Sequence, residues 1–239
     1  AMSCVMKRRY ALVFLMLAAC GGTDADPSDT APTTHVEGAI RDAVSQMPIE
    51  GATICARELG RCTKTDSAGA FLIDGLPSDQ DVTIGYAAAG YPGYVVMYGA
   101  ALVHPRLTTA LVNSTLIGSF AKMSGGEIAL SATTGAVVST ARATPADQPY
   151  AGRAGVRMTI DSGQPAAYLG ASGLPAVAQH ETGTNASVWF FDVAAGERRI
   201  HFDYEGHCAP YHAWPDAEAN TVRALVEPGS ITFVSQRCE

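Results

Sequence analysis

The densest group of side chains that could do chemistry lies near the C-terminus and comprises His201, Asp203, Glu205, His207, Cys208, Tyr211 and His212. The first three alternate along a predicted strand, so their side chains would project from one face. Oxygen and imidazole ligands of this kind could hold a divalent metal, and a metal-dependent hydrolase is one hypothesis for this chain. The spacing matches no recognised ligand motif, however. We therefore favour a solvated strand end that leads into a disulfide-bonded loop.

Catalytic motifs elsewhere in the chain are incomplete. His180 and Glu181 begin like a zinc-peptidase helix, but Thr184 stands where the second histidine is needed. Ser119 and Lys122 match S-x-x-K without the companion motifs of that enzyme class. No glycine-rich loop that could cradle a phosphate is present. The sequence therefore predicts no enzyme, no metal and no cofactor.

The N-terminal segment has the pattern of an export signal. A basic cluster at residues 7–9 precedes an uncharged, almost wholly apolar stretch at residues 10–19. Ten residues extend about 15 Å as a helix, whereas a bilayer-spanning helix needs about 20 residues. Leu17-Ala-Ala-Cys20-Gly21 resembles a lipobox, the site at which bacterial lipoproteins acquire a lipid on the cysteine and are cleaved before it. The resemblance implies a signal peptide over residues 1–19 and a membrane anchor on Cys20.

The segment that follows Cys20 is expected to act as a tether. Residues 21–34 contain no large apolar side chain, so we predict that residues 20–34 are disordered. No aspartate directly follows Cys20, which favours the outer membrane under the sorting rule known for proteobacterial lipoproteins. The expected localisation is therefore the cell envelope, with a lipid anchor.

The remaining cysteines agree with export. Four cysteines follow Cys20, and they allow three pairings: Cys55, Cys62, Cys208 and Cys238. Pairing the first two with each other, and the last two with each other, keeps each bridge inside one predicted domain. An oxidising compartment favours such bridges over free thiols. Zinc is the competing interpretation, but the chain has no C-x-x-C pair.

Charge and composition exclude one class of partner and favour a fold class. Removing residues 1–19 lowers the basic count from 16 to 13 against 23 acidic residues, so the mature chain of 220 residues carries about −10. No basic patch suits nucleic acid. A low charged fraction of 16% and frequent turn signals favour an all-β fold of sandwiches, in a chain long enough for two domains.

The first predicted sandwich covers residues 35–104. Alternating stretches predict strands, and Asp66-Ser-Ala-Gly69 predicts a tight turn. Pro48-Ile-Glu-Gly-Ala52, followed by Thr65-Asp-x-x-Gly-x-Phe-x-Ile73, Leu76 and Ala89-Gly-Tyr91, resembles the carboxypeptidase regulatory-like domain. That resemblance covers residues 35–98 and implies a seven-stranded, transthyretin-like β-sandwich without catalytic residues of its own. The stretch Asp79-Gln-Asp-Val82 departs from the family pattern.

A linker and a second sandwich are expected after residue 104. Leu107, Leu111, Ile117 and Phe120 recur at helical spacing, which predicts a linker helix over residues 105–126 that ends at the glycine pair 125–126. Residues 127–239 then repeat the earlier pattern at offsets of 104 and 117 residues. The sequence thus predicts tandem transthyretin-like or Ig-like sandwiches joined by one short helix.

The leading functional hypothesis is a non-catalytic binding or scaffolding module, anchored to the membrane through Cys20. Its partner would be an envelope protein or a glycan. Carbohydrate binding is the alternative, with Trp189, Tyr211 and Trp214 as possible ligand contacts, since exposed aromatic rings can stack on sugars. This alternative expects an exposed aromatic surface that also includes Tyr91 or Tyr94.

Overall fold

The computed structural model of the chain describes residues 33–99, 106–144 and 151–239. The predicted signal peptide, Cys20 and the tether as far as residue 32 lie outside the described residues. The first strand begins at Thr33, so the last two residues of the predicted tether belong to the folded body. Within the described ranges, no helix has the length and apolarity needed to cross a bilayer.

The first sandwich consists of two facing sheets. Its seven described strands are β1 (Thr33–Asp42), β2 (Thr53–Ala56), β3 (Arg61–Lys64), β4 (Ala70–Pro77), β5 (Val82–Ala87), β6 (Gly93–Tyr98) and β7 (Arg106–Leu111). One sheet has the order β4-β1-β7, and the other sheet contains the run β6-β5-β2-β3. The predicted turn before β4 is present: the Asp66 carboxylate accepts hydrogen bonds from the amides of Ala68 and Ala70. The predicted all-β sandwich is confirmed.

The linker helix is shorter than the sequence pattern predicts. Helix α1 spans Ser114–Met123, and residues 106–111, predicted as its first part, instead form β7 parallel to β1. Asn113 caps the helix by accepting a hydrogen bond from the Leu116 amide at 3.0 Å, which fixes its start. The helix ends as predicted: Gly125 has a φ of +82°, and the Gly126 amide donates to Ala121 O at 2.8 Å. The prediction of helix over 105–126 was wrong in its first part because pairing with β1 outweighed the helical spacing of Leu107 and Leu111.

The second sandwich has nine described strands. They are β8 (Thr134–Arg142), β9 (Arg157–Ile160), β10 (Ala167–Tyr168), β11 (Ser187–Ala194), β12 (Gly196–Asp203), β13 (Cys208–His212), β14 (Trp214–Pro215), β15 (Thr221–Val226) and β16 (Ser230–Cys238). Its two sheets contain the runs β10-β11-β8-β16 and β14-β15-β12-β9. The short strands β10, β13 and β14 lie in segments that are longer than their counterparts in the first sandwich.

Thr65 stands at the centre of a buried hydrogen-bond cluster in the first sandwich. Its hydroxyl accepts from the Ala52 amide at 2.9 Å and donates to Ile49 O at 2.7 Å. Its own amide donates to Ala52 O at 2.9 Å, and its carbonyl accepts from the Gly51 amide at 3.0 Å. These four bonds tie the start of β2 to the segment that precedes the Asp66 turn.

The second sandwich contains the same cluster around Thr182. The Thr182 hydroxyl accepts from the Val156 amide at 3.0 Å and donates to Arg153 O at 2.6 Å. The Thr182 amide donates to Val156 O, and its carbonyl accepts from the Gly155 amide. Residues 49–52 correspond to 153–156, and Thr65 corresponds to Thr182. The hydrogen bonds therefore repeat at the offsets of 104 and 117 residues at which the sequence repeats.

The two sandwiches share one continuous sheet. Strand β16 of the second sandwich pairs in parallel with β6 of the first, from Ser230 opposite Gly93 to Phe233 opposite Val96, and joins the runs of both into a nine-stranded sheet. Both faces of β6 are buried, because Tyr94, Val96 and Tyr98 pack in one apolar cluster and Val95 and Met97 in another. The tandem sandwiches are therefore fused, and the described residues of the two form one compact unit.

Candidate functional site

An aromatic stack lies between α1 and the shared sheet. The Trp189 ring stacks on Phe191 with 5.5 Å between centroids and an interplanar angle of 15°, and it meets Phe120 of α1 edge-on at 5.9 Å. Trp189 is 4% exposed. The prediction that Trp189 contacts a ligand was wrong, because α1 packs over the strand face that carries it.

A pocket of about 350 Å³ opens beside this stack. Its lining comes from three segments: residues 124–128, which follow α1; residues 164–167, which lead into and begin β10; and Phe191 with Asp192. Its volume is at the lower end of the range for small-molecule sites. Phe191 provides an aromatic wall, and Ile128, Pro165, Ala166 and Ala167 provide aliphatic surface.

The polar groups of the pocket are mainly hydrogen-bond acceptors. The Gly125 and Gly126 amides donate within the helix cap, and the Ser124 hydroxyl donates to Phe120 O. Gln164 donates its Nε2 to Asp192 O at 3.1 Å, which leaves its Oε1 buried and unpartnered within the described ranges. A ligand would therefore be recognised by the hydrogen bonds that it donates.

Two carboxylates line the pocket. Glu127 and Asp192 are both exposed, and neither forms an ion pair or a side-chain hydrogen bond with the part of the chain that the structure describes. The pocket also lies at the C-terminal end of α1, where the helix dipole carries partial negative charge. Its electrostatic environment favours a positively charged group.

Asp192 stands in an unusual backbone position. Its φ is +54°, in a region that non-glycine residues seldom adopt, and it lies at the irregularity where the β11–β8 register shifts. The corresponding residue of the first sandwich, 117 positions earlier, is Gly75 with a φ of +69°. There the Arg61 guanidinium donates to Asp74 O at 3.0 Å and Gly75 O at 2.7 Å. The second sandwich thus has a carboxylate where the first has a glycine beside an arginine.

The other predicted aromatic contacts do not form an open surface. An arginine lies over each of the half-buried rings. The Arg142 Cζ is 5.1 Å from the centroid of the Tyr211 ring, and the Arg223 Cζ is 5.9 Å from the centroid of the Trp214 ring. Tyr94 is buried, with its hydroxyl donating to Val112 O at 2.9 Å. Half-buried Tyr91 donates to Asp42 at 2.7 Å. Trp189 and Tyr94 therefore belong to the core and do not contribute to the exposed aromatic surface that the carbohydrate hypothesis expects.

The residues from His201 to His212 are dispersed. The His201 Nδ1 is 2.9 Å from the Thr221 hydroxyl, whereas His212 is buried with its Nδ1 3.1 Å from the Ser235 hydroxyl. Asp203 and Glu205 line a separate, open cavity of about 370 Å³. No group of three potential metal ligands converges among the described residues. The metal-dependent hydrolase hypothesis has no supporting geometry in this part of the chain.

The two predicted disulfides are confirmed. Cys55 pairs with Cys62 across the β2–β3 hairpin, and Cys208 pairs with Cys238 across β13 and β16. In each case the bonded cysteines stand directly opposite each other in the strand register. The second bridge attaches the β13 loop to the last strand of the shared sheet.

Sequence patterns alone did not identify the pocket residues Glu127, Gln164 and Asp192. The carboxylate at position 192 replaces a repeat glycine, and aligning the two halves at the 117-residue offset would have marked it. Gln164 lies in the longer loop of the second half. Glu127 follows the helix stop, and no local pattern brings it near β11.

Comparisons with known proteins give no family. No protein-family model matches the chain, and no curated protein matches it. The Bacillus anthracis TIE protein is similar at 12% identity, over 86% of this chain but 34% of that protein, with a TM-score of 0.28. The minor pilin GBS52 of Streptococcus agalactiae is similar at 10% identity, over 86% of this chain and 96% of the pilin, with a TM-score of 0.26. The shaft pilin SpaA from Lactobacillus rhamnosus GG is similar at 10% identity, over 87% of this chain and 98% of that pilin, with a TM-score of 0.25. TM-scores this low do not establish a relationship.

Proposed function

We propose that this chain is a lipid-anchored protein of the cell envelope, favouring the outer membrane, whose fused sandwiches bind another envelope component and catalyse no reaction. Every cysteine after Cys20 is engaged in a disulfide. That observation carries the proposal, because it leaves Cys20 as the one thiol of the expected mature chain that is available for a lipid. The disulfides also suit an oxidising compartment outside the cytoplasm.

The pocket beside Phe191 is the proposed binding site. It combines aromatic and aliphatic walls with acceptor groups, which is the usual composition of a site for a small ligand or a single side chain of a partner. The resemblance of residues 35–98 to the carboxypeptidase regulatory-like domain supports an accessory role, since that family appears as a non-catalytic module of exported proteins.

Metabolic labelling with radioactive palmitate tests the anchor. Cells expressing the full chain should incorporate label into it, and the protein should sediment with membranes. Cys20→Ser should remove both properties, because the thiol that accepts the lipid is lost. Cys4→Ser is the matched control, since it removes a cysteine inside the predicted signal peptide, and it should leave labelling unchanged. Label that persists in Cys20→Ser would overturn the proposed anchor.

A further inference from the structure

We propose that the pocket beside Phe191 binds a primary ammonium group carried on an apolar stem, such as a lysine side chain of a partner protein or a free alkylamine. This inference rests on the proposed binding function and names the chemistry of its ligand. Three independent features of the pocket lead to it: its charge, its walls and its difference from the equivalent place in the first sandwich.

The charge of the pocket favours a cation or a strong hydrogen-bond donor. Glu127 and Asp192 supply two exposed carboxylates, and the end of α1 adds partial negative charge. None of the described residues that line the pocket is lysine or arginine. An ammonium group has three donors and no acceptor, so it complements a set of oxygen acceptors.

The walls of the pocket require an apolar portion in the same ligand. Phe191 is 8% exposed and is held flat against Trp189, so its position is fixed by the core. Pro165, Ala166 and Ile128 continue the apolar surface, and Ile128 is 52% exposed. An inorganic cation would leave this surface in water, whereas a four-carbon stem would cover it. Burying each methylene contributes roughly 0.8 kcal/mol.

In the first sandwich, a side chain of the protein itself lies at the place that is equivalent to this pocket. Its own Arg61 guanidinium lies beside Gly75, and a Cβ on Gly75 would lie 2.1 Å from the Arg61 Nη1. In the second sandwich, Asp192 replaces the glycine, and the neutral Gln164 amide donates to Asp192 O at 3.1 Å where Arg61 donates to Gly75 O. The charged donor of the first sandwich is thus replaced by an uncharged one, beside a pocket whose described lining residues include two carboxylates and no basic side chain. We infer that the cation comes from outside the chain.

Amide chemical-shift titration of the full chain tests the proposal. The probes are Nα-acetyl-lysine-methylamide, its uncharged analogue Nα-acetyl-norleucine-methylamide, butylamine, and calcium chloride. The lysine probe and butylamine should both shift the amides of residues 164–167 and 191–192. The norleucine probe should bind at least fivefold more weakly, because it has the stem without the charge.

Two charge-neutralising variants and one control sharpen the titration. Asp192→Asn keeps the size of the side chain and the tolerance for positive φ, and it should weaken lysine-probe binding about three- to fivefold. Glu127→Gln should weaken lysine-probe binding by a similar factor. The double variant should bind the lysine probe no more tightly than the wild type binds the norleucine probe. Glu50→Gln removes an exposed carboxylate from the first sandwich and should change nothing.

Several outcomes would overturn the proposal. Equal binding of the lysine and norleucine probes would remove the role of charge, and unchanged affinity in Asp192→Asn would remove the role of that carboxylate. Saturable shifts at the pocket with calcium but not with butylamine would make it an inorganic cation site. If butylamine binds and the lysine probe does not, the proposed ammonium site stands, and its ligand is a free amine and not a partner's side chain. The Cys20→Ser protein should still bind the probes, so failure of the lipid anchor and failure of the pocket are distinguishable.

Discussion

Replacing Thr65 or Thr182 by valine should destabilise the protein by about 2 kcal/mol each. Valine has nearly the shape of threonine but lacks the hydroxyl, so the buried amide of Ala52 or Val156 loses its partner. A buried backbone group left without a hydrogen bond costs about 1–3 kcal/mol. The carbonyl partners belong to Ile49 and Arg153, which are only half-buried, and water can replace part of those bonds.

Urea denaturation followed by tryptophan fluorescence and by far-ultraviolet circular dichroism measures this loss. Both tryptophans, Trp189 and Trp214, lie in the second sandwich. Because the sandwiches share a sheet, Thr65→Val in the first sandwich should shift the fluorescence transition as much as Thr182→Val does. A loss of 2 kcal/mol corresponds to about 4–8 °C in melting temperature for a body of this size.

Thr65→Ser and Thr182→Ser are the matched controls. Serine keeps the hydroxyl and loses one methyl group, so each should cost less than 1 kcal/mol. The reasoning is refuted if the serine variants lose as much stability as the valine variants, since the hydroxyl would then be irrelevant. It is also refuted if Thr65→Val leaves the fluorescence transition in place, since the two sandwiches would then unfold separately.

Three further outcomes are expected. Hydrogen bonds from the Ser45 amide and then from Tyr91 lower the pKa of Asp42 to about 2. The contribution of the Asp42 carboxylate to stability is therefore complete above about pH 4 and is lost as the pH falls towards 2. Asp42→Asn should lower the denaturation midpoint at pH 6 but not at pH 2. Gly69→Ala should cost at least 1–2 kcal/mol in denaturant titration, because φ is +74° and the new Cβ would lie 2.4 Å from Ile40 O, whereas Ala186→Gly at the equivalent position should be nearly neutral. Replacing the cysteines of the β13–β16 bridge by serine should cost about 1 kcal/mol more in thermal unfolding than the same change in the β2–β3 hairpin, since the bridges close loops with sequence separations of 30 and 7 residues; equal losses would contradict this loop-entropy argument.

Local features of the fold could be predicted because their signals are short-range. The Asp66–Gly69 turn needs only a side chain that accepts hydrogen bonds from nearby amides and a residue that tolerates positive φ. Both can be read from four consecutive residues. The internal repeat was visible for the same reason. Its offsets of 104 and 117 residues mark the two places where hydrogen bonds recur, because each threonine cluster is built from short segments of similar sequence.

The candidate site could not be predicted, since its walls meet only in the folded chain. Glu127 lies 37 residues before Gln164 and 65 residues before Asp192. They line one pocket because α1 crosses the face of the shared sheet and ends beside the bulge of β11. Trp189 was misassigned as a ligand contact for the same reason: only the position of α1 decides whether that face is covered.

The sequence by itself determined an all-β chain with two related halves and the turns that start their strands, and it favoured disulfides that each stay within one half. Only the tertiary structure decided that the halves are fused. Pairing of β6 with β16 joins residues 93–96 to residues 230–233, and no local pattern specifies a partner so distant along the chain. The sequence carries one sign of this pairing: Tyr94-Val-Val-Met-Tyr98 is continuously apolar. A strand with one solvated face would instead alternate between apolar and polar residues. The physical reason is that a strand buried on both faces needs a sheet on each side, and here the second sandwich completes that burial.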